Sequence, residues 1–562
     1  MFSDKENVNV LTSLLVVYGV RHAVVCPGSR NAPIVHNLDA CGDIRCYPVT
    51  DERSAGFYAM GLCQALCEPI VVCVTSGTAL LNLCPAVAEA FYQHLPLVVV
   101  SADRPNRWIN QLDGQTLPQA GAFGSFVRCS VSLPESCDEE EHWYCNRMLN
   151  EAMIACMQGS RGPVHINVPI AESLYTFNVK QLPKERKICF LSDLDIRPSS
   201  IQYIKPLQTA LQTARRPLIV IGQAKPSAIA ACTVDWLTSR KYVVLHEALS
   251  VGGREACLEE TMHLVGGKEN FLPDFILYVG DVLVSKRVKQ FLRSAKHASC
   301  WIVNPEGCVH DTFKNLQGVV QAHSDDILMS INSDGNEDWF NRWEAVRQKA
   351  LAHRLDFQPD YSNMLAVKFL EERLEKDDTV PIVHYANSIS VRLGCIYAWH
   401  HIYCNRGVNG IEGSLSTTGG YSLATNERVY CVIGDLSFFY DQNALWNQNL
   451  KSNLRILLLN NHGGEIFGKF EGLRQSSVRN KMVMAKHSAT AEGICQENNV
   501  RYYSADDPAS LEKHMETLTS EHSDRPILLE VFTDCEEDLR VYKEYFNTLY
   551  YGKERMGNHQ RI

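Results

Sequence analysis

The chain has 562 residues, enough at ~150 residues per domain for three or four domains. Hydrophobic residues make up 45% and charged residues 21%, which excludes a disordered or low-complexity protein. With 54 Lys and Arg against 64 Asp and Glu the net charge is −10, a poor surface for nucleic acid or anionic membrane, so an anionic substrate requires a local basic cluster.

The first ~180 residues alternate helical and strand patterns. Residues 8–18 read as a helix, 22–28 (HAVVCPG) as a strand ending in a Pro-Gly turn, and 54–66 as a helix. PIVVCVTSG (69–77) reads as a buried strand entering a turn, residues 79–93 as a helix, and LPLVVVSADRP (95–105) as another strand. Apolar strands without alternation, separated by helices, predict a parallel sheet covered on both faces. A polar, Pro-bearing stretch at 180–205 reads as a linker. The second α/β block has strands at 216–223, 241–248, 275–281 and 298–305. A second boundary falls within 332–362, and PIVHYANS, RVYCVIGDLS, LRILLLNNHGG and PILLEVF read as strands of a third block. The expected fold class is therefore α/β, with three doubly wound parallel-sheet domains at 1–180, 200–335 and 360–562.

The 21 cysteines are odd in number, lie in apolar runs and contain no C-x-x-C. They read as small buried residues of a reducing, cytoplasmic compartment, with neither a disulfide framework nor a zinc ribbon. The N-terminus lacks the pattern of a signal peptide and no apolar run reaches the ~18 residues of a membrane span, so no membrane insertion is expected.

No G-x-G-x-x-G follows a strand, and no P-loop or H-E-x-x-H occurs. The informative pair is Asp435, in Gly434-Asp435-Leu436-Ser437, and Asn461, in Asn460-Asn461-His462-Gly463-Gly464. They stand 26 residues apart at the ends of two expected parallel strands, whose carboxyl edge is where ligands bind. Asp, Asn and a main-chain carbonyl are hard oxygen ligands suited to Mg²⁺. Taken alone, the two stretches read equally well as an Asp-capped turn and an unrelated glycine turn.

This spacing resembles the thiamine-diphosphate signature of the decarboxylase and acetohydroxyacid-synthase superfamily. The resemblance implies pyrimidine-binding, central and diphosphate-binding domains in that order. It also implies a glutamate near the cofactor's aminopyrimidine, which Glu52 matches at a strand-to-helix junction. CPGSRNAP (26–33), TSGTA (75–79), SADRP (101–105), DGQTLPQ (113–119), SKR (285–287), NSISVR (387–392) and NRGVNGIEG (405–413) resemble one branch of that superfamily. That branch is the 2-succinyl-5-enolpyruvyl-6-hydroxy-3-cyclohexene-1-carboxylate synthases of menaquinone biosynthesis.

The resemblance implies a transferase using thiamine diphosphate and Mg²⁺ or Mn²⁺. Such an enzyme decarboxylates 2-oxoglutarate and adds the succinyl-semialdehyde carbanion to isochorismate in a 1,4-addition. By motif match the metal ligands are Asp435, Asn461 and Gly463, and the cofactor contacts are Glu52, Ile411, Gly434, Ser437, Gly463 and Gly464. Glu52 is the catalytic residue, exchanging a proton with the pyrimidine ring. Both substrates are dicarboxylates, which guanidinium forks suit. Ser388, Arg392 and Arg406 face the succinyl carboxylate; Ser29, Arg30, Arg104, Gln115, Lys286 and Arg287 face isochorismate. Ile466 and Phe467 form an apolar wall. The implied assembly is a homodimer or homotetramer with sites built from two chains. Two alternatives stand beside this reading: another thiamine-diphosphate 2-oxoacid decarboxylase or carboligase, and a catalytically silent homologue with a binding role.

Overall fold

The computed structural model describes residues 1–135, 138–191, 201–226, 228–253, 256–377, 379–464, 475–520 and 522–551. Three parallel sheets follow one another along the chain. The first has the order Arg45–Pro48, His22–Val25, Ile70–Val74, Leu97–Asp103, Val164–Pro169, Cys129–Ser132. The second has the order Val243–His246, Pro217–Ile221, Phe275–Val279, Ser299–Asn304, Leu316–Gln321. The third runs Ile402–Tyr403, Ile382–Tyr385, Val429–Gly434, Leu454–Asn460, Ile527–Phe532, Arg501–Ala505. Numbered within its own domain, each outer sheet has the strand order 2-1-3-4-6-5, so the two share a topology. Central strands such as Ile70–Val74 and Leu454–Asn460 are buried at every residue, as β-branched and leucine runs covered on both faces must be.

Side chains fix where the helices begin. Asp51 accepts hydrogen bonds from the N–H groups of Arg53 (2.9 Å) and Ser54 (3.3 Å), so the helix Glu52–Leu66 starts at Glu52. Ser285 accepts from the Val288 N–H (3.2 Å) and starts Lys286–Ser294.

The outer domains of one chain are joined through the helices Glu52–Leu66 and Ser414–Leu423. Small residues permit that approach: a Cβ on Gly61 would overlap the Thr417 carbonyl, and one on Gly420 would overlap the Tyr58 carbonyl. The Tyr58 hydroxyl donates to the Ala444 carbonyl at 2.7 Å, and one apolar cluster runs from Val72 through Phe57 to Leu415 and Ile456.

Part of the expected linker belongs to the first domain, since Ser13 Oγ donates to the Pro183 carbonyl (2.7 Å) and Asn150 Nδ2 to that of Arg186 (3.0 Å). The expected second boundary contains the helix Glu337–Asp356, which serves two cores: Trp339 and Trp343 in the central domain, Ala350 in the third. Among the described residues no helix is long and apolar enough to cross a membrane, and no disulfide joins the cysteines.

Candidate active site

In the third sheet the strand order reverses between Ile382–Tyr385 and Val429–Gly434, which makes their carboxyl ends a ligand crevice. Gly434 ends the second of these strands, Asp435 opens the helix after it, and Asn461 follows the neighbouring Leu454–Asn460. Asp435 is buried and accepts from its own helix at the Leu436 N–H (2.6 Å) and across the strands from the Gly463 N–H (2.9 Å). That second bond ties the two turns together. His487 Nδ1 accepts from the Ala489 N–H (3.1 Å), which leaves the proton of the neutral ring on Nε2, 3.2 Å from Asp435 Oδ2. Burial pushes the Asp435 carboxyl up, against the pull of its two N–H donors and His487.

Asn461 gives its amide N–H to Asp538 Oδ2 at 2.9 Å, which orients the carboxamide. Asp538 also accepts from the Asn363 N–H (2.7 Å) and Thr533 Oγ1 (2.7 Å), and burial pushes it up to about 6. Gly463 has no room for a side chain, since a Cβ would stand 2.9 Å from the Met484 carbonyl oxygen; its neighbour Gly464 donates to that same carbonyl (2.7 Å). At Gly434 the space a Cβ would occupy is open. A buried carboxylate, a carboxamide and a glycine backbone at one strand edge form an all-oxygen set of the kind a hard divalent cation takes, and the open face at Gly434 admits a polyanion beside it. The residues present therefore fit a metal–diphosphate group. Ser437 is buried in the helix Asp435–Tyr440 that follows.

The stretches after the neighbouring strand Ile382–Tyr385 carry the expected arginines. Ser388 adopts a left-handed φ of 75° before the helix Ile389–Tyr397, on which Arg392 lies one turn along. Among the described residues Arg392 has no hydrogen-bond or ion-pair partner. Arg406 donates to Asn387 Oδ1 (3.0 Å), while its buried Nε has no partner. Asn387 also donates to the carbonyls of Asn405 (2.6 Å) and Gly410 (2.7 Å), so it shapes the loop that presents Arg406 and the exposed Ile411. Lys289 joins this group. Burial and then the charges of Arg406, Arg293 and Arg392 hold its ammonium below the usual lysine range, with Glu247 opposing them. Lys289 was not expected from the sequence, although its position one turn after Lys286 on the same helix face is a signal that spacing offers.

The remaining expected residues divide. Lys286 and Arg287 open the helix Lys286–Ser294, whose start is fixed by buried Glu247 accepting from the N–H groups of Val284 (2.8 Å) and Ser285 (2.7 Å). Arg287 pairs with Glu259 at 2.6 Å and lies over the Phe546 ring. In the first domain Ser29 is exposed, but Arg30 is buried and donates to the Ile170 carbonyl (2.9 Å) and Glu172 (2.8 Å). Arg104 pairs with Asp113 (3.1 Å), and Gln115 stands exposed against the Gly77 turn with a φ of 54°. Glu52 accepts from Asn82 Nδ2 (3.3 Å) and has no hydrogen bond to Asp435, Asn461 or Gly463 of its own chain. Its neighbours Asp51 and Arg53 instead dock on Asn443 (2.8 Å) and the Tyr440 carbonyl (2.7 Å). Ile466 and Phe467 lie outside the described residues.

The first domain matches, over residues 6–122, the family model described as "Thiamine pyrophosphate enzyme, N-terminal TPP binding domain". Nearly the whole chain is similar to proteins named 2-succinyl-5-enolpyruvyl-6-hydroxy-3-cyclohexene-1-carboxylate synthase. The protein of that name from Bacteroides fragilis is 40% identical over 565 residues, covering 98% of this chain and all of the relative. That from Phocaeicola vulgatus is 40% identical over 574 residues, covering 98% and 99%. That from Porphyromonas gingivalis is 33% identical over 569 residues, covering 97% of each. With this coverage and with the site at the switch point of the third sheet, the chain belongs to the 2-succinyl-5-enolpyruvyl-6-hydroxy-3-cyclohexene-1-carboxylate synthase family of thiamine-diphosphate-dependent transferases.

Proposed function

We propose that the chain decarboxylates 2-oxoglutarate and adds the resulting four-carbon unit to isochorismate in a 1,4-addition, serving menaquinone biosynthesis in the cytoplasm. The observation that supports this reading is that neighbouring strands of the third sheet end at both groups: Asp435, Asn461 and Gly463 follow Val429–Gly434 and Leu454–Asn460, while the half-buried Arg392 follows Ile382–Tyr385 and the half-buried Arg406 is bonded to Asn387.

Asp435, Asn461 and the Gly463 carbonyl would hold Mg²⁺ or Mn²⁺ on the diphosphate, with Gly434, Ser437 and Gly464 beside it. The chemistry that thiamine diphosphate would supply when bound is a nucleophilic carbon for the keto carbon of a 2-oxoacid and an electron sink for the pair left when carbon dioxide departs. Glu52 would hold the proton exchanged at the aminopyrimidine, and Ile411 would support the bound cofactor. Arg392 and Arg406, aided by Ser388, hold the distal carboxylate of 2-oxoglutarate, and a bidentate fork fixes its orientation as well as its charge. Ser29, Arg30, Arg104, Gln115, Lys286 and Arg287 receive isochorismate. Arg30 and Arg287 reach it only by sharing or exchanging their bonds to Glu172 and Glu259. Ile466 and Phe467 complete the reading as an apolar wall.

The working unit is a homodimer or a homotetramer. Glu52 and Asp435 share no hydrogen bond within one chain, and exposed apolar side chains (Leu81, Trp108, Leu112, Ile411 and Trp446) occur in both outer domains. A two-fold partner that covers them would bring its Glu52 to this crevice.

The test is incubation with 2-oxoglutarate, isochorismate, thiamine diphosphate and Mg²⁺, following loss of isochorismate absorbance and identifying the product by mass. Consumption of both substrates into one adduct is expected. Turnover of another 2-oxoacid with no use of isochorismate would assign the chain to a different reaction.

A further inference from the structure

The loop 405–413 carries Arg406 and Ile411, and its middle is held from another domain. Glu89 lies on the helix Cys84–Tyr92 of the first domain and is 3% exposed. It accepts from the Gly407 N–H through Oε1 and from the Val408 N–H through Oε2, each at 2.6 Å. The Asn409 N–H adds to the same carboxylate. Gln93, one turn along the helix, donates to Oε1 at 2.5 Å. The loop is also pressed onto this helix: a Cβ on Gly407 would stand 2.9 Å from both the Glu89 carbonyl oxygen and Tyr92 Cβ.

The acceptor is costly. Burial pushes the Glu89 carboxyl up, and the N–H groups of the loop and the Gln93 amide pull against that. A fold that needed only an apolar helix here would place an apolar residue such as alanine, as the rest of CPAVAEAFY does. What the acid adds is a fork of two acceptors matched to consecutive backbone donors of another domain. The residue before those donors is Arg406, whose guanidinium rests on Asn387, and the residue three beyond is Ile411.

We propose that Glu89 is a positioning residue that holds Arg406 at the 2-oxoglutarate carboxylate and Ile411 at the cofactor, so that the first domain sets the geometry of a site in the third. This rests on the roles given to Arg406 and Ile411 above. In Glu89→Gln the amide turns an N–H₂ toward one loop N–H, donor against donor, and releases that bond.

The experiment compares E89Q, R406A and the wild-type holoenzyme by steady-state kinetics with each substrate varied, by thiamine diphosphate titration in Mg²⁺, and by hydrogen exchange of the 405–413 peptide. Loss of a charge-assisted bond predicts a rise of about 10-fold or more in the 2-oxoglutarate KM of E89Q, with the isochorismate KM within about twofold. Faster exchange at 405–413 and weaker cofactor binding accompany it. A general loss of folded enzyme would instead lower kcat and leave both KM values in place, and that outcome overturns the proposal. So does wild-type exchange at 405–413 in E89Q. If R406A leaves the 2-oxoglutarate KM unchanged, the role of Arg406 is wrong, while the exchange data still decide whether Glu89 holds the loop. Should E89Q fail to fold, G407A pushes the same loop off the Glu89 helix and must raise the same KM; a wild-type KM in folded G407A overturns the proposal.

Discussion

At the scale of single residues the account turns on Asp435. Its carboxylate is the group through which the turns after two strands are tied, and His487 Nε2 lies 3.2 Å from it. Asp435→Ala removes the proposed charged metal ligand and also the acceptor of the Gly463 N–H. Activity should fall by at least about 100-fold, and calorimetry should show that Mg²⁺ no longer promotes cofactor binding. Asp435→Asn keeps the Gly463 bond and should lose metal binding while holding the turn. Undiminished Mg²⁺-dependent binding in both variants would remove Asp435 from the metal site. This pair was legible in the sequence because an Asp and an Asn at two strand ends 26 residues apart need no tertiary information to meet. The partners of the residues were not legible. Nothing in CPGSRNAP announces that Arg30 is spoken for by Glu172, 142 positions on, or that Asn461 is oriented by Asp538. Glu89 left a faint trace, a lone acid inside an apolar helix.

At the scale of elements, the runs that read as strands are the buried ones. Four of the six strands in the third sheet were expected, and the two that were missed, Ile402–Tyr403 and Arg501–Ala505, are its edges. The first sheet likewise hides its edges, Arg45–Pro48 and Cys129–Ser132, and also Val164–Pro169, whose buried His165 and Asn167 interrupt the apolar run. An edge strand packs against one neighbour only and so carries a weaker apolar signature. The helix Lys286–Ser294 shows how an element is aimed at a site. Buried Glu247 accepts the N–H groups of Val284 and Ser285 just before it, and burial pushes that carboxyl up to about 7. A folded pKa above the unfolded one means that the native state binds the proton more tightly. Stability from this group therefore falls as pH rises from about 4.5 through about 7, by up to roughly 3 kcal/mol. Chemical denaturation of the wild type and Glu247→Gln at pH 5 and pH 8 should show the wild type losing stability relative to the variant over that interval. A gap that stays constant, or widens in favour of the wild type, would contradict this.

At the scale of the whole molecule, two outer domains with the same strand order flank a central domain along the chain, and the central domain carries Lys286 and Lys289. The three-sheet plan was readable from apolar runs alone. How the domains meet was not, because the contact is made by backbone approach at Gly61 and Gly420 and by single bonds such as that from Tyr58 to Ala444. The central claim is that Glu52 of one copy and Asp435 of another serve the same catalytic site. Mixing Glu52→Gln with Asp435→Ala, each inactive alone, tests it most directly. After subunit exchange, verified by native mass spectrometry, each heterodimer should hold one doubly altered site and one intact site. Activity should then return, to about half the wild-type value per heterodimer for the two equivalent sites of a closed dimer. If heterodimers form and adduct formation from 2-oxoglutarate and isochorismate does not return, the cross-chain site is contradicted.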